Sequence, residues 1–302
     1  RSCIFVTHHD RHLQRFIETA PFFLPEDVTL IAFPAWDCLP YDRSAPSRSI
    51  LAQRVAALIA MQSCHRRGEG CVVVTTVNAV TQKLPPREVF HGQGHTLTLG
   101  DKVDQQALVQ AISAQGYRRA SKVMEPGEFA VRGSLIDLYP GDAALPVRID
   151  LFDDTIESIT HFDPLSQRSG EEVEAIPLTP TSELLLNEAR IARFRRAYRS
   201  LFGLPPQQDT IYHGVIQGQH VPGMEHWLPL FNERTDTLLD YLPDAPLCLD
   251  HEVEAAIHER DALIHDYYQA RQAASPSRSG ASSGSGRTGA VYQPLQPDAL
   301  YL

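Results

Sequence analysis

Cys3–Thr7, Val28–Phe33 and Cys71–Thr76 are short, almost wholly apolar runs, and stretches of helical character separate them. A strand that is apolar on both sides needs cover on both sides. Parallel strands joined by crossover helices provide it, so this order predicts an α/β layer structure for the opening 84 residues. Arg11–Thr19 reads as a helix, and Trp36–Ser47 as a Pro-rich loop. Ser49 is placed to cap a second helix, in which Ile50, Leu51, Val55, Leu58 and Ile59 recur at helical spacing.

The pattern changes at Pro85–Pro86. Asp104 is placed to cap a helix with Leu108, Ala111 and Ile112 on one side, stopped by Gly116. From Glu128 to Asp163 the chain reads as consecutive strands, and Asp153–Asp154 lies where a hairpin would turn between Val147–Phe152 and Thr155–Phe162. Helical spacing resumes over 182–202, with Ile191, Phe194, Tyr198 and Leu201 expected inward. A short strand at Pro246–Asp250 and a long helix at Val253–Ala274 follow. The middle block therefore reads as an insertion. Residues 1–85 and 177–274 are expected to be two parts of one α/β domain, 86–176 a small α+β domain, and 275–302 a Ser/Gly-rich linker with a C-terminal segment.

The formal net charge is −10, and residues 88–176 hold seven Lys/Arg against fifteen Asp/Glu. Phosphate neutralisation takes clustered basic side chains, so this middle block is a poor candidate for an autonomous DNA binder. Five scattered cysteines, none in a Cys-x-x-Cys pair, argue against a disulfide framework or a cysteine zinc site and fit a reducing cytoplasm. No apolar run approaches the ~20 residues of a membrane helix. Arg1–Asp10 lacks the apolar core of a signal peptide and reads as the middle of a strand, so a preceding segment is expected.

One strand stands out. Val147, Ile149 and Leu151 form a clean apolar side, which leaves Arg148, Asp150 and Phe152 on the other. Arg132, just ahead of Gly133, could join them. Outward positions on a half-buried strand are normally polar, whereas Arg and aromatic residues are enriched in binding hot spots. The pattern alone leaves two accounts open: a docking face, or a Phe tucked under a loop beside solvated arginines.

Long collinear motifs bear on that choice. Met124–Tyr139 (MEPGEFAVRGSLIDLY), Val147–Ile159 (VRIDLFDDTIESI) and Phe162–Arg168 (FDPLSQR) closely resemble the UvrA-interaction domain shared by UvrB and the transcription-repair coupling factors, the Mfd family. Phe33–Pro46 (FPAWDCLPYDRSAP), Gly223–Phe231 (GMEHWLPLF) and Thr237–Pro243 (TLLDYLP) resemble the coupling factors rather than UvrB, whose DNA-clamping hairpin has no counterpart here. The resemblance covers nearly the whole chain. It implies a degenerate helicase-like (RecA-like) parallel-sheet domain with an inserted α+β UvrA-interaction domain. It also implies that UvrA is contacted by two arginines and a phenylalanine, at the positions of Arg132, Arg148 and Phe152. The parent protein would engage RNA polymerase and DNA through other domains, drive a separate motor with ATP and Mg, and mask the UvrA-binding face until activation.

An ATPase would need Gly-x-x-x-x-Gly-Lys-Ser/Thr, and no such loop occurs; the resemblance places it ahead of residue 1. Leu247–Glu252 (LCLDHE) resembles the strand that ends in Asp-Glu in UvrB. Asp250 matches its magnesium-linked Asp, but His251 stands where a water-activating Glu would be, so a decayed, non-catalytic core is expected. Gly284–Gly289 (GSGRTG) matches a dinucleotide fingerprint letter by letter, yet it follows a Ser-rich run and reads as linker. His91 and His95 lack companions for a zinc site, and His8–His9 makes a weaker case still. His251, His258 and His265 recur every seven residues and are expected on one exposed helix side. Arg190, Arg193, Arg195, Arg196 and Arg199 make a basic helix side, expected to be solvated and paired with Glu183 and Glu188.

Overall fold

The computed structural model describes residues 2–42, 44–91, 95–141, 143–274 and 293–302. The chain opens with β1 (Cys3–Thr7), α1 (Asp10–Thr19), β2 (Val28–Phe33), α2 (Arg48–Arg67), β3 (Gly70–Thr76) and a short α3 (Val77–Val80). The middle block contributes β4 (His95–Thr98), α4 (Gln105–Ala114), β5 (Arg118–Arg119), β6 (Glu128–Arg132), β7 (Leu135–Leu138), β8 (Val147–Phe152), β9 (Thr155–Phe162), β10 (Ser169–Glu172) and β11 (Ala175–Leu178). Then come α5 (Glu188–Phe202), α6 (Thr210–Ile216), α7 (Leu228–Phe231), α8 (Leu238–Tyr241), β12 (Leu247–Leu249), α9 (Val253–Ala274) and α10 (Pro297–Leu300).

The first sheet runs β12-β1-β3-β2, every pairing parallel. Ile4, Val6, Ile31, Phe33 and Val73 are buried within it, together with Val55, Leu58 and Met61 of α2. Each such aliphatic side chain contributes roughly 2 kcal/mol by leaving water. The cap of α2 is Ser47, not Ser49. Ser47 has the extended backbone a cap requires, and its Oγ accepts from the Ile50 amide at 3.4 Å. Ser49 already lies inside the first turn.

The second sheet runs β10-β9-β8-β7-β6-β5, antiparallel except for the short β5–β6 pair. Leu108 and Ile112 of α4 pack on Ile136, Ile149 and Ile159 of its apolar side. Asp104 caps α4, its carboxylate accepting from Ala107. The β8–β9 hairpin turns at Asp153–Asp154, with Asp153 in the left-handed region (φ 59°). Strands β4 and β11 pair with each other and bracket this block.

Two close contacts seat the block against the first sheet's helices. A Cβ on Gly141 would stand 2.1 Å from the Ala52 Cβ of α2, so that approach requires glycine. Arg54 of α2 and Glu183, where the chain returns, form an ion pair at 2.6 Å with both side chains fully buried. Thr179–Leu185 is accordingly buried, non-helical chain, and α5 begins only at Glu188, capped by Asn187.

A third cluster gathers Phe194 and Tyr198 of α5 with Tyr212, Trp227, Phe231 and Ile264. Leu201, expected inward, is 58% exposed, because the last turn of α5 offers Phe202 to Tyr198 instead. Leu295, Leu300 and Tyr301 of the C-terminal segment are buried in the same cluster. Backbone bonds from Lys83 to Leu300 and from Leu302 to Thr81 tie it down. The Ser/Gly-rich stretch, Gly284–Gly289 included, lies outside the described residues.

Candidate functional site

The β6–β7 hairpin turns through Gly133, whose φ of +61° would strain a side-chain-bearing residue. Register then aligns Ala130, Asp137 and Arg148 across β6, β7 and β8. The Asp137 carboxylate is 3% exposed and accepts from Arg148 Nε at 2.7 Å and Nη2 at 3.0 Å, a bidentate pair. That hydrogen bonding holds the Arg148 guanidinium above its ordinary pKa. Arg148 also donates to Ser169 Oγ at 3.3 Å and lies 4.8 Å over the Phe162 ring.

Arg132, at the end of β6, reaches the same carboxylate at 3.8 Å and donates to the Ser121 carbonyl at 3.3 Å. Its side chain is 48% exposed against 18% for Arg148. Phe152 ends β8 and is 71% exposed. So the structure brings Arg132 and Arg148 together on one carboxylate and leaves the ring open to a partner.

The two accounts left open by the pattern are thus divided. Phe152 is not tucked under a loop. Arg148, however, is not solvated, because its side of the sheet is partly roofed. Val123, Ala130 and Phe162 form a small buried cluster with Tyr139 packed against it, and Gln167 of the 163–168 loop donates to the Val123 carbonyl. Asp137 had no role in the sequence reading. Only strand register reveals that it sits opposite Arg148.

Asp250 follows β12, the edge strand beside β1. His251 donates to it from its backbone at 2.9 Å, and the two side chains meet at 3.0 Å. The His251 contact holds the Asp250 carboxyl below its ordinary pKa. Glu252 has a left-handed backbone, φ 68°, and its carboxylate lies 3.9 Å from His251 Nε2. β1, the neighbouring strand, joins α1 through only His8 and His9.

The remaining candidates separate cleanly. His258 and His265 are exposed on α9, but His251 precedes that helix. His91 is exposed, and nothing is described of the His95 side chain. On α5, Arg193 lies 3.7 Å from Glu233 and Arg190 donates to the Leu185 carbonyl. The expected pairing with Glu183 fails because Arg54 holds that carboxylate.

These features define a mixed α/β protein: a parallel sheet, and a mostly antiparallel second sheet that presents paired arginines and an exposed aromatic ring. Residues 96–184 match the family described as UvrB interaction domain, and Arg132, Asp137, Arg148 and Phe152 lie inside the matched segment. The chain is homologous over most of its length to transcription-repair-coupling factors. It is 34% identical to that of Haemophilus influenzae over 258 residues, covering 85% of this chain and 22% of the relative. It is 36% identical to that of Escherichia coli over 241 residues (78% and 21%) and 30% identical to that of Bacillus subtilis over 277 (86% and 23%). The chain thus spans about a fifth of the length of these relatives.

Proposed function

We propose that this chain is the UvrA-recruiting module of a transcription-repair coupling factor, acting in transcription-coupled nucleotide excision repair in the cytoplasm. Residues 86–176 are the docking domain, inserted into a degenerate helicase-like (RecA-like) domain built from 1–85 and 177–274. Arg132 and Phe152 meet UvrA directly, and Arg148 holds the strand between them in place. The observation that carries this reading is the 71%-exposed Phe152 ring on the strand that holds Arg148, inside a segment matching the UvrB interaction domain. An exposed aromatic beside an arginine is the composition of a binding hot spot.

In this reading the chain itself does not hydrolyse ATP. His251 follows Asp250 where a catalytic carboxylate is needed, and no Gly-x-x-x-x-Gly-Lys-Ser/Thr loop occurs in the sequence. ATP, Mg, DNA and RNA polymerase belong to other parts of the parent. Titration calorimetry of purified UvrA with Phe152→Ala and Arg132→Ala tests the proposal. Each should lose about 2 kcal/mol of binding, or roughly thirtyfold in affinity. Unchanged affinity in both would refute it, and measurable ATP or damaged-DNA binding by the chain would favour a UvrB-like nucleotide or DNA module instead.

A further inference from the structure

His8, His9 and His12 converge at the carboxyl end of the parallel sheet. Each offers a ring nitrogen, and these atoms lie within 4.8 Å of one another. The rings are packed centroid to centroid at 4.1 Å (His8–His9), 4.2 Å (His8–His12) and 4.7 Å (His9–His12). A fourth donor comes from far along the chain. Asp250 Oδ2 is 3.8 Å from His8 Nδ1 and 3.5 Å from His12 Nδ1.

Two further observations point to a ligand between these groups. His8 Nδ1 is buried and has no hydrogen-bond partner, an expensive condition for a ring nitrogen. The other nitrogen of the same ring, Nε2, faces Glu252 Oε2 at 3.6 Å. A metal-bound histidine typically shows this arrangement: one nitrogen on the ion, the other N–H directed at a carboxylate that fixes the ring. The donors also answer a charge objection. The first turn of α1 presents positive backbone dipoles, but Asp10, Asp250 and Glu252 surround the cluster with carboxylates.

We infer that His8, His9, His12 and Asp250 form a binding site for a divalent transition-metal ion of the zinc class. Three imidazoles and one carboxylate suit Zn2+ and its neighbours, whereas Mg2+ and Ca2+ require mostly oxygen donors. Metal–nitrogen bonds of about 2.0–2.1 Å need the rings to close by little more than a side-chain adjustment. The ion would tie the β1–α1 junction to the β12–α9 junction. The inference does not depend on the proposed recruitment of UvrA, since neither Arg132, Arg148 nor Phe152 takes part.

The test is calorimetric titration of ZnCl2 into the chelator-treated chain, with MgCl2 as a parallel probe and circular dichroism to confirm folding. One Zn2+ per chain should bind, with no matching Mg2+ isotherm, and Zn2+ should raise the melting temperature. His12→Ala, a half-exposed change on α1, and Asp250→Asn should each weaken Zn2+ binding about tenfold or more. The exposed pair His258→Ala/His265→Ala should leave it unchanged. Absence of stoichiometric binding would overturn the inference, as would a Zn2+ affinity that survives both site variants or falls with the α9 pair.

Discussion

Replacing Asp137 with Ala removes the carboxylate that two arginines share. The loss is sizeable because the group is 3% exposed and bound bidentately, with Arg148 only 18% exposed behind it. Breaking a buried pair from one side costs about 3–5 kcal/mol. Arg148 keeps Ser169, the Phe162 ring and some water, which places the expected cost near the lower bound, about 3 kcal/mol. Tryptophan fluorescence would miss it, because Trp36 and Trp227 both lie outside the second sheet. Amide hydrogen exchange followed by mass spectrometry on peptides covering β7 and β8 reads it directly. At about 1.4 kcal/mol per factor of ten, exchange there should accelerate roughly a hundredfold. UvrA affinity should fall in parallel as both arginines lose their anchor. Acceleration below about threefold would mean that Asp137 is not holding the strands together, and the reading of Arg148 as a fixed strut would fail.

Arg54→Ala should destabilise by about 3–5 kcal/mol by stranding the buried Glu183 carboxylate, whereas Arg54→Met with Glu183→Leu should stay within about 1–2 kcal/mol of wild type. Urea unfolding followed by Trp36 fluorescence checks both, since the Arg54 guanidinium lies 5.8 Å from that ring. Burial pushes the Glu225 carboxyl up from 4.5 to about 7. A carboxyl raised in the folded state favours folding at low pH, and that contribution is lost as pH climbs from about 4.5 through about 7. Glu225→Gln should therefore stabilise the chain at pH 8 by about 3 kcal/mol and little at pH 4.5, read as the difference in melting temperature from wild type. Taking that difference removes the opposite contribution of His220, which burial pushes down to about 4. A pH-independent difference would exclude burial of the charge as the cause.

Much of the architecture was legible because burial writes itself into strands and helices. Cys3–Thr7 and Cys71–Thr76 are apolar on both sides because helices cover both, and Val147, Ile149 and Leu151 alternate because only one side of β8 meets a core. What escaped depends on partners remote in sequence. The helical spacing read over 182–202 starts too early, because 182–185 is held non-helical, with Glu183 bound to Arg54 129 positions away. Asp137 looked like an ordinary polar strand residue until register set it against Arg148. His8–His9 by itself made a weak zinc case, because nothing local announced Asp250 as a neighbour of His8 and His12.

The placement of β1 between β3 and β12 bears on the order in which the molecule can assemble. Ile4 pairs with Val73 on one side and with Leu247 on the other. A ribosome delivers the first partner early and the second only after the whole middle block has emerged. The nascent amino-terminal sheet must therefore wait with one flank of β1 open, while the hairpins of the second sheet, whose contacts are mostly local, close rapidly beside it. Synthesis that pauses before β12 would leave that flank of β1 open to stray strands; once Leu247–Leu249 pair with it, the sheet's open edge passes to β12, a strand only three residues long.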